Sequence, residues 1–207
     1  TFQSGGKTVE ELRYDFTALT GVEYTDAMDS DPNAGGYRLT NRQALALFAK
    51  AAAKGEPPFL LLLDELQDPQ NVGALIRTAD AAGVHGVLMP RRRSCPLNAV
   101  VAKISAGAVE YVPVVQIGNI AQTMDELKAR GCWLVGADMD GVDFYAANMT
   151  GPIVLVIGAE GKGLGRLVKQ KCDDIVSLPM HGGVNSLNAS NAGAILMYEV
   201  VRQRHLF

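Results

Sequence analysis

Two loops carry most of the polar side chains in this chain that could do chemistry. The first, the glycine-rich loop (residues 158–165), follows an apolar run and contains Gly158 and Gly161 on either side of Glu160. Glycine allows positive φ and lets a ligand approach the backbone closely, so this loop could bind a cofactor through main-chain groups. An ordinary strand-to-helix turn has the same composition, and the loop taken alone favours that simpler interpretation.

Common nucleotide-binding fingerprints do not fit the glycine-rich loop. A P-loop places Ser or Thr after its final Gly-Lys, whereas Gly163 is followed by Leu164. The dinucleotide pattern GxGxxG is absent, because Ala159 and Glu160 follow Gly158. These mismatches argue against a P-loop nucleotidase and against a nicotinamide oxidoreductase.

The second loop, the Ser-Asn loop (residues 179–188), follows a short apolar run and leads into a helix rich in small residues. Ser186 and Asn188 stand where that helix should begin, and either one can serve as its N-cap. Capping explains one of them but not a longer polar run beside His181. Capping combined with tight helix packing is the alternative to a functional site here.

Three segments of the chain resemble the sequence motifs of the SpoU (TrmH-like) ribose methyltransferases, in the SPOUT superfamily. In chain order they are LDELQDPQNVGALIRTADAAGV (63–84), IVLVIGAEGKGL (153–164) and IVSLPMHGGVNSLNAS (175–190). Three motifs in the right order are poorly explained by chance. From residue 58 to residue 204 the chain is most similar to bacterial members that methylate a guanosine 2′-hydroxyl in large-subunit (23S) ribosomal RNA.

The resemblance implies an S-adenosylmethionine site formed by backbone groups of the two loops. The matching cofactor-binding positions are Gly158, Gly161, Leu178, Met180 and Leu187. Main-chain contacts explain why apolar residues and glycines would surround a polar ligand, since larger side chains would block its approach.

The resemblance also implies five catalytic positions, which are Asn71, Arg77, Glu160, Ser186 and Asn188. A guanidinium stays protonated at neutral pH and is a poor base. We therefore expect Arg77 to contact the target ribose and phosphate and to stabilise the forming alkoxide, with Glu160 orienting it or another site group. Ser186 and Asn188 would position the hydroxyl and the loop, and Asn71 would hold the start of the first motif.

The elements that must position these residues follow from the apolar pattern. Short apolar strands alternate with helices, which predicts an α/β fold with a parallel sheet of about six strands and helices on both faces. The resemblance adds a C-terminal trefoil knot. Predicted strands cover 59–63, 84–89, 111–115, 132–137, 153–157 and 175–178, and predicted helices cover 41–54, 71–82, 97–105, 119–130 and 187–204, with an irregular segment before residue 151.

We expect two parts in the chain. Residues 56–207 would form the SPOUT methyltransferase domain, and residues 1–55 an N-terminal appendage, for which the remnant of an RNA-binding domain is one interpretation. No sequence feature of residues 1–38 identifies how RNA would be captured.

Composition permits an RNA partner without demanding one. The net charge of −3 argues mildly against nucleic acid, but Arg91, Arg92 and Arg93 form a local basic cluster after a predicted strand. We expect this cluster to bind RNA, the alternative being a solvated loop. The same three motifs also occur in relatives that modify transfer RNA, so transfer RNA stays open as the substrate. A non-catalytic RNA-binding relative is a further alternative.

The remaining expectations concern assembly and location. The last helix has more apolar positions than one core face needs, consistent with a homodimer interface, although a fully buried helix would show the same pattern. The chain has 48% hydrophobic and 20% charged residues and no apolar run that approaches a membrane span. Three scattered cysteines lack metal-ligand spacing, so we expect no metal and a cytoplasmic location.

Overall fold

A computed structural model describes residues 41–205, and predictions for residues 1–40 lie outside the described part. Within it, six parallel strands form one sheet in the order β3-β2-β1-β5-β4-β6. The strands are β1 (Phe59–Leu63), β2 (Gly86–Pro90), β3 (Val114–Ile117), β4 (Trp133–Asp143), β5 (Ile153–Ile157) and β6 (Asp174–Ser177). The predicted α/β class and strand number are confirmed.

Helices cover both faces of this sheet, as the sequence predicts. They are α1 (Asn41–Lys54), α2 (Pro69–Ala81), α3 (Ala99–Ile104), α4 (Ile120–Ala129), α5 (Arg166–Lys171) and α6 (Ala189–His205). Alternate residues of β1 enter two separate cores. Leu61 packs in a core that contains residues of α2, α3 and α6, whereas Leu60 packs in a core that contains residues of α1, α4 and α5. A strand buried on both faces must be apolar throughout, which explains the FLLLL run of β1.

Helix packing on the first face depends on two glycines. A Cβ at Gly193 in α6 would lie 2.4 Å from Cδ2 of Leu75 in α2, and a Cβ at Gly73 in α2 would lie 2.6 Å from Cβ of Ile104 in α3. Neither space could hold a larger side chain without movement. Tight helix packing, which the small residues at the start of α6 allow, is therefore present at Gly193, where α6 packs against α2.

Several element boundaries differ from the sequence prediction for physical reasons. Helix α2 begins at Pro69, not at Asn71, because the Asp68 side chain caps it by accepting the N–H of Gln70 at 2.9 Å. Strand β3 starts at Val114, since a 3₁₀ turn (Ala108–Glu110) occupies the chain before it. Helix α6 begins at Ala189 and not at residue 187.

Strand β4 is much longer than predicted. It continues to Asp143 through a stretch that the sequence predicts as irregular, and it pairs with β6 on both sides of a register shift between Ala137 and Val142. The polar composition of residues 138–143 hides this pairing from a search for apolar runs. Among residues 41–205, no helix is both long and apolar enough to cross a bilayer.

Candidate active site

The candidate site lies where the carboxyl ends of β1, β5 and β6 meet. In a parallel sheet all strand ends of one kind share an edge, and ligands of open α/β sheets gather at the carboxyl edge. The chain after β1 leads into α2, the glycine-rich loop follows β5, and the Ser-Asn loop follows β6. Each of the three motif segments therefore delivers its polar residues to one edge.

Three of the predicted catalytic residues form a closed hydrogen-bond network at this edge. Asn71 Nδ2 donates to Glu160 Oε2 at 3.2 Å, and Asn188 Nδ2 donates to Asn71 Oδ1 at 2.8 Å and to Glu160 Oε1 at 3.1 Å. Asn71 lies at the start of α2. Glu160, in the glycine-rich loop, is 89 residues further along the chain, and Asn188, directly before α6, is 117 residues further. The network therefore joins all three motifs.

Asn188 also caps helix α6. Its Oδ1 accepts the N–H of Ser190 at 2.9 Å and the hydroxyl of Ser190 at 2.6 Å. One side chain thus uses its oxygen to begin the helix and its amide nitrogen to reach Asn71 and Glu160. The capping interpretation of this residue is confirmed, and because an amide has separate donor and acceptor atoms, capping leaves its nitrogen for Asn71 and Glu160.

The glycine-rich loop folds back on itself immediately after β5. Gly163 N donates to Ala159 O at 2.9 Å, and a Cβ on the buried Gly158 would lie 2.3 Å from the Gly163 carbonyl. Gly161 adopts a φ of +74° with nothing within 4 Å of a Cβ built there. Only glycine fits easily at either position, and the space over Gly161 is open to a ligand.

The Ser-Asn loop offers main-chain groups and little bulk. Leu178 and Met180 are partly buried, and Leu187 is 37% exposed. A Cβ at Gly182 or Gly183 would meet nothing within 4 Å. Open space over both loops at one sheet edge fits a ligand bound mainly through backbone atoms.

Two predicted catalytic residues lie apart from the Asn71–Glu160–Asn188 network. Arg77 lies on α2, and its exposed side chain forms no hydrogen bond or ion pair with the described residues. Ser186 is likewise exposed, and no hydrogen bond of its side chain occurs within the described part of the chain. Both side chains are available to a ligand rather than committed to the fold.

The arginine cluster also lies at this edge, after β2. Arg91, Arg92 and Arg93 are exposed. Arg93 has a φ of +58° and its Nη1 lies 3.3 Å from Oε1 of Glu65, which follows β1 and has a φ of +54°. Arg91 and Arg92 have no carboxylate partner among the described residues, so their side chains are free to contact an anion.

Asp64 is a residue of this edge that the sequence does not predict for the site. It is 5% exposed and its Oδ2 accepts the N–H of Gly165 at 2.8 Å. Burial raises the pKa of the Asp64 carboxyl, and the Gly165 N–H opposes that rise. A carboxylate directly after an all-apolar strand is the signal that could have identified it.

The comparison with known families agrees with the three motifs. A family model described as the SpoU rRNA Methylase family matches residues 58–198. YacO of Bacillus subtilis (strain 168), assigned to the TrmH family of tRNA/rRNA methyltransferases, is 53% identical over 161 residues, which is 77% of this chain and 64% of YacO. The 23S rRNA (guanosine-2′-O-)-methyltransferase RlmB of Vibrio parahaemolyticus is 48% identical over 153 residues, 73% of this chain and 62% of that enzyme. The chain thus spans less than two thirds of the length of these curated relatives.

Solved structures agree as well. The SpoU methyltransferase AviRb from Streptomyces viridochromogenes, solved with the cofactor AdoMet, matches with a TM-score of 0.69 and 34% identity over 73% of this chain and 62% of AviRb. The A. aeolicus TrmH/SpoU tRNA modifying enzyme matches with a TM-score of 0.66 and 28% identity over 73% of this chain and 77% of that enzyme. The chain therefore belongs to the SpoU rRNA methylase family.

Proposed function

We propose that this protein transfers a methyl group from S-adenosylmethionine to a ribose 2′-hydroxyl of RNA. The observation that carries the proposal is the Asn71–Glu160–Asn188 network, which unites the three family motifs beside two loops with exposed backbone. The cofactor-bound AviRb structure, similar over 73% of this chain, supports the choice of cofactor.

The cofactor is proposed to bind through main-chain groups of the glycine-rich loop and the Ser-Asn loop. Gly158, Gly161, Leu178, Met180 and Leu187 are the candidate contacts, and the open space above Gly161 supports this assignment. When bound, S-adenosylmethionine supplies an electrophilic methyl group. The protein therefore needs only to orient the two reactants and to favour loss of one proton from the attacking hydroxyl.

The proton belongs to a ribose hydroxyl, which is a weak acid. Its attack on the methyl group would form an O–C bond while the S–C bond breaks, with the electron pair of that bond staying on sulfur and the hydroxyl proton passing to solvent water. The exposed Arg77 guanidinium is proposed to bind the adjacent phosphate and stabilise the charge that develops on that oxygen. Glu160 is fixed by Asn71 and Asn188, and Ser186 is free to position the hydroxyl.

Replacement of Arg77 tests this assignment. We expect Arg77→Ala to lower turnover at least 100-fold, the size typical for loss of one charge-stabilising donor. Affinity for S-adenosylmethionine should stay within about twofold, because the Arg77 side chain forms no hydrogen bond or ion pair with either loop among the described residues. Lys103→Ala, which removes an exposed cation from α3, is the control. Near-normal turnover by Arg77→Ala would remove Arg77 from the mechanism.

The substrate is proposed to be a guanosine of large-subunit (23S) ribosomal RNA. The name of the Vibrio parahaemolyticus RlmB, 48% identical, supports that choice. Transfer RNA is the second candidate, because YacO is named for both substrates and the A. aeolicus enzyme is named as a tRNA modifying enzyme. Arg91 and Arg92 are the proposed phosphate contacts, and the intact network argues against a relative without catalytic activity.

Three features of the whole protein belong to the same proposal. The C-terminal segment is proposed to form the trefoil knot that the family resemblance implies, and a crystal structure would trace it. Residues 56–207 would be the catalytic domain, with residues 1–55 as an appendage, although Leu47 and Phe48 of α1 already pack in the sheet core. The protein is proposed to act in the cytoplasm as a homodimer, with no membrane or metal involved.

The deciding experiment incubates purified protein with methyl-labelled S-adenosylmethionine and ribosomal RNA, bulk transfer RNA or no RNA. We expect label on 23S ribosomal RNA, traced by nuclease digestion to 2′-O-methylguanosine. Label on transfer RNA alone would overturn the substrate and keep the reaction. Absence of label from both RNAs, although the protein binds S-adenosylmethionine, would favour the non-catalytic alternative.

A further inference from the structure

Asp64 occupies a position that connects two strands and a loop. Its backbone N–H donates to Ile157 O at 2.8 Å, which extends the β1–β5 ladder by one residue beyond Leu63. Its buried side chain then reaches over the end of β5 and accepts the Gly165 N–H at 2.8 Å. Asp64 thus contacts the last residue of β5, directly before the glycine-rich loop, and Gly165, the last residue of that loop.

Besides Asp64, the glycine-rich loop is attached through Glu160, which accepts hydrogen bonds from Asn71 and Asn188, and through the buried Leu164, which packs in the same core as Leu60. The Ala159–Gly163 bridge and the contact of Gly158 with the Gly163 carbonyl hold the loop in its own shape. These contacts do not fix the orientation of the loop relative to the sheet. At the far end, Gly165 precedes α5 without any side chain that could cap the helix. At this end of the loop, the Asp64 carboxylate accepts the Gly165 N–H beside the buried Leu164.

The burial of Asp64 indicates that its hydrogen bond with Gly165 N–H offsets a cost of burying the carboxylate. A carboxylate that is 95% buried is costly, and no ion pair of Asp64 occurs among the described residues. Its pKa is raised first by burial, and the Gly165 N–H is the interaction that acts to lower it. An apolar residue could fill the same space at lower cost, but it could not accept the loop's N–H.

We infer that Asp64 is a positioning residue that holds the glycine-rich loop in the orientation needed for cofactor binding. The inference rests on the proposed function, because it assigns the loop to S-adenosylmethionine. Asp64 itself is too deeply buried to act as a catalytic group on RNA. Its effect passes through Gly165 to the backbone of Gly158 and Gly161 and to the side chain of Glu160.

The test compares Asp64→Ala, Asp64→Asn and a matched control. Asparagine keeps an oxygen that can accept the Gly165 N–H, whereas alanine removes the acceptor. Asp173→Ala is the control, since Asp173 also accepts a backbone N–H, from Leu134 at 2.9 Å, but at the opposite edge of the sheet. Each variant is first checked by thermal unfolding, and binding is measured well below its unfolding midpoint.

We expect Asp64→Ala to bind S-adenosylmethionine about tenfold more weakly, as for loss of a hydrogen bond to a charged group. Asp64→Asn should bind within about threefold of the unaltered protein, and Asp173→Ala should bind normally even if it is less stable. Equal binding by Asp64→Ala and the unaltered protein would overturn the inference. So would equal weakening by Asp64→Ala and Asp64→Asn, or by Asp64→Ala and Asp173→Ala.

Hydrogen exchange without cofactor separates this inference from the proposed function. We expect the Gly165 amide to exchange at least tenfold faster in Asp64→Ala than in the unaltered protein, with little change in Asp173→Ala. If the unaltered protein binds no S-adenosylmethionine, the proposed function fails, while slow exchange of the Gly165 amide still supports the hydrogen bond from Gly165 to Asp64 as an attachment of the loop. If exchange is unchanged in Asp64→Ala, the positioning role of Asp64 is wrong, whether or not the protein binds the cofactor.

Discussion

At the scale of single residues, Asn188 shows how one side chain serves the fold and the site together. Its oxygen caps α6 and its nitrogen bonds Asn71 and Glu160. Serine is also a good N-cap but is one atom shorter and has no amide nitrogen. Replacement of Asn188 can therefore separate the two roles.

We predict that Asn188→Ala lowers the free energy of unfolding by about 1 kcal/mol, the usual cost of a lost N-cap, and also lowers turnover. Asn188→Ser should recover most of the stability but not the turnover, because it cannot bridge Asn71 and Glu160. Chemical denaturation and methyl-transfer assays on the same samples measure both effects. Normal turnover by Asn188→Ser would show that the bridge is dispensable.

The buried His85 makes stability depend on pH. Its Nδ1 accepts the Phe59 N–H at 2.9 Å, and burial, followed by Lys54, Arg204 and Lys50, lowers its pKa to about 3. Glu56 Oε2 lies 3.3 Å from its Nε2 but is not hydrogen-bonded to it. His85 is thus neutral when folded, whereas the unfolded chain protonates it below about pH 6.5.

Because only the unfolded state binds this proton, the free energy of unfolding falls as pH falls from 6.5 towards 3. The contribution of His85 to this loss is up to about 1.4 kcal/mol per pH unit. His85→Asn keeps an acceptor for the Phe59 N–H and cannot titrate. We predict that this variant has a shallower loss of stability between pH 6 and pH 4, measured by urea unfolding. Parallel pH profiles for the two proteins would assign the dependence to other groups.

At the scale of elements, the glycine-rich loop depends on close backbone contact. Gly158→Ala would place a Cβ 2.3 Å from the Gly163 carbonyl, so the loop must move. We predict at least tenfold weaker S-adenosylmethionine binding, measured by calorimetry. Gly151→Ala is the control, because Gly151, like Gly158, has no positive φ, but it precedes β5 at the opposite edge and a Cβ there would meet nothing within 4 Å. Equal effects of the two changes would show that the loss does not come from displacement of the glycine-rich loop.

At the scale of the whole molecule, helix α6 exposes a stripe that a monomer does not need. Buried Leu196, Met197 and Val200 face the core, whereas Ile195 and Tyr198 are 42% and 51% exposed. This distribution excludes the interpretation of α6 as a helix fully buried within one chain, and the dimer interface stays a prediction. An exposed apolar pair on a long helix is consistent with the proposed homodimer.

We predict that the protein sediments as a dimer at micromolar concentration and that Ile195→Asp shifts it to monomer, since a charge would be buried in the interface. Val100→Asp, at an apolar position of α3 that is 50% exposed, should leave the dimer intact. A monomeric unaltered protein, or a dimer of unchanged strength in Ile195→Asp, would contradict the assignment of this stripe to the interface.

The sequence by itself determines the fold class, the three motif segments and most element positions of this protein. Runs such as FLLLL in β1 and IVLVI in β5 are local consequences of burial on both faces, so they can be read without coordinates. The family resemblance singled out Asn71, Glu160 and Asn188, because they stand in its three motifs. The polar second half of β4 was not, since its strand pairing with β6 depends on a partner over thirty residues away.

Only the tertiary structure decides which of the predicted residues touch. The meeting of Asn71, Glu160 and Asn188 requires three loops to share one sheet edge, which depends on the strand order β1-β5-β4-β6 and not on any local pattern. The same order brings Asp64 to Gly165, 101 residues away. Hydrogen bonds between distant segments have no periodic signature in the sequence, because the sheet that brings them together is assembled from apolar runs elsewhere in the chain.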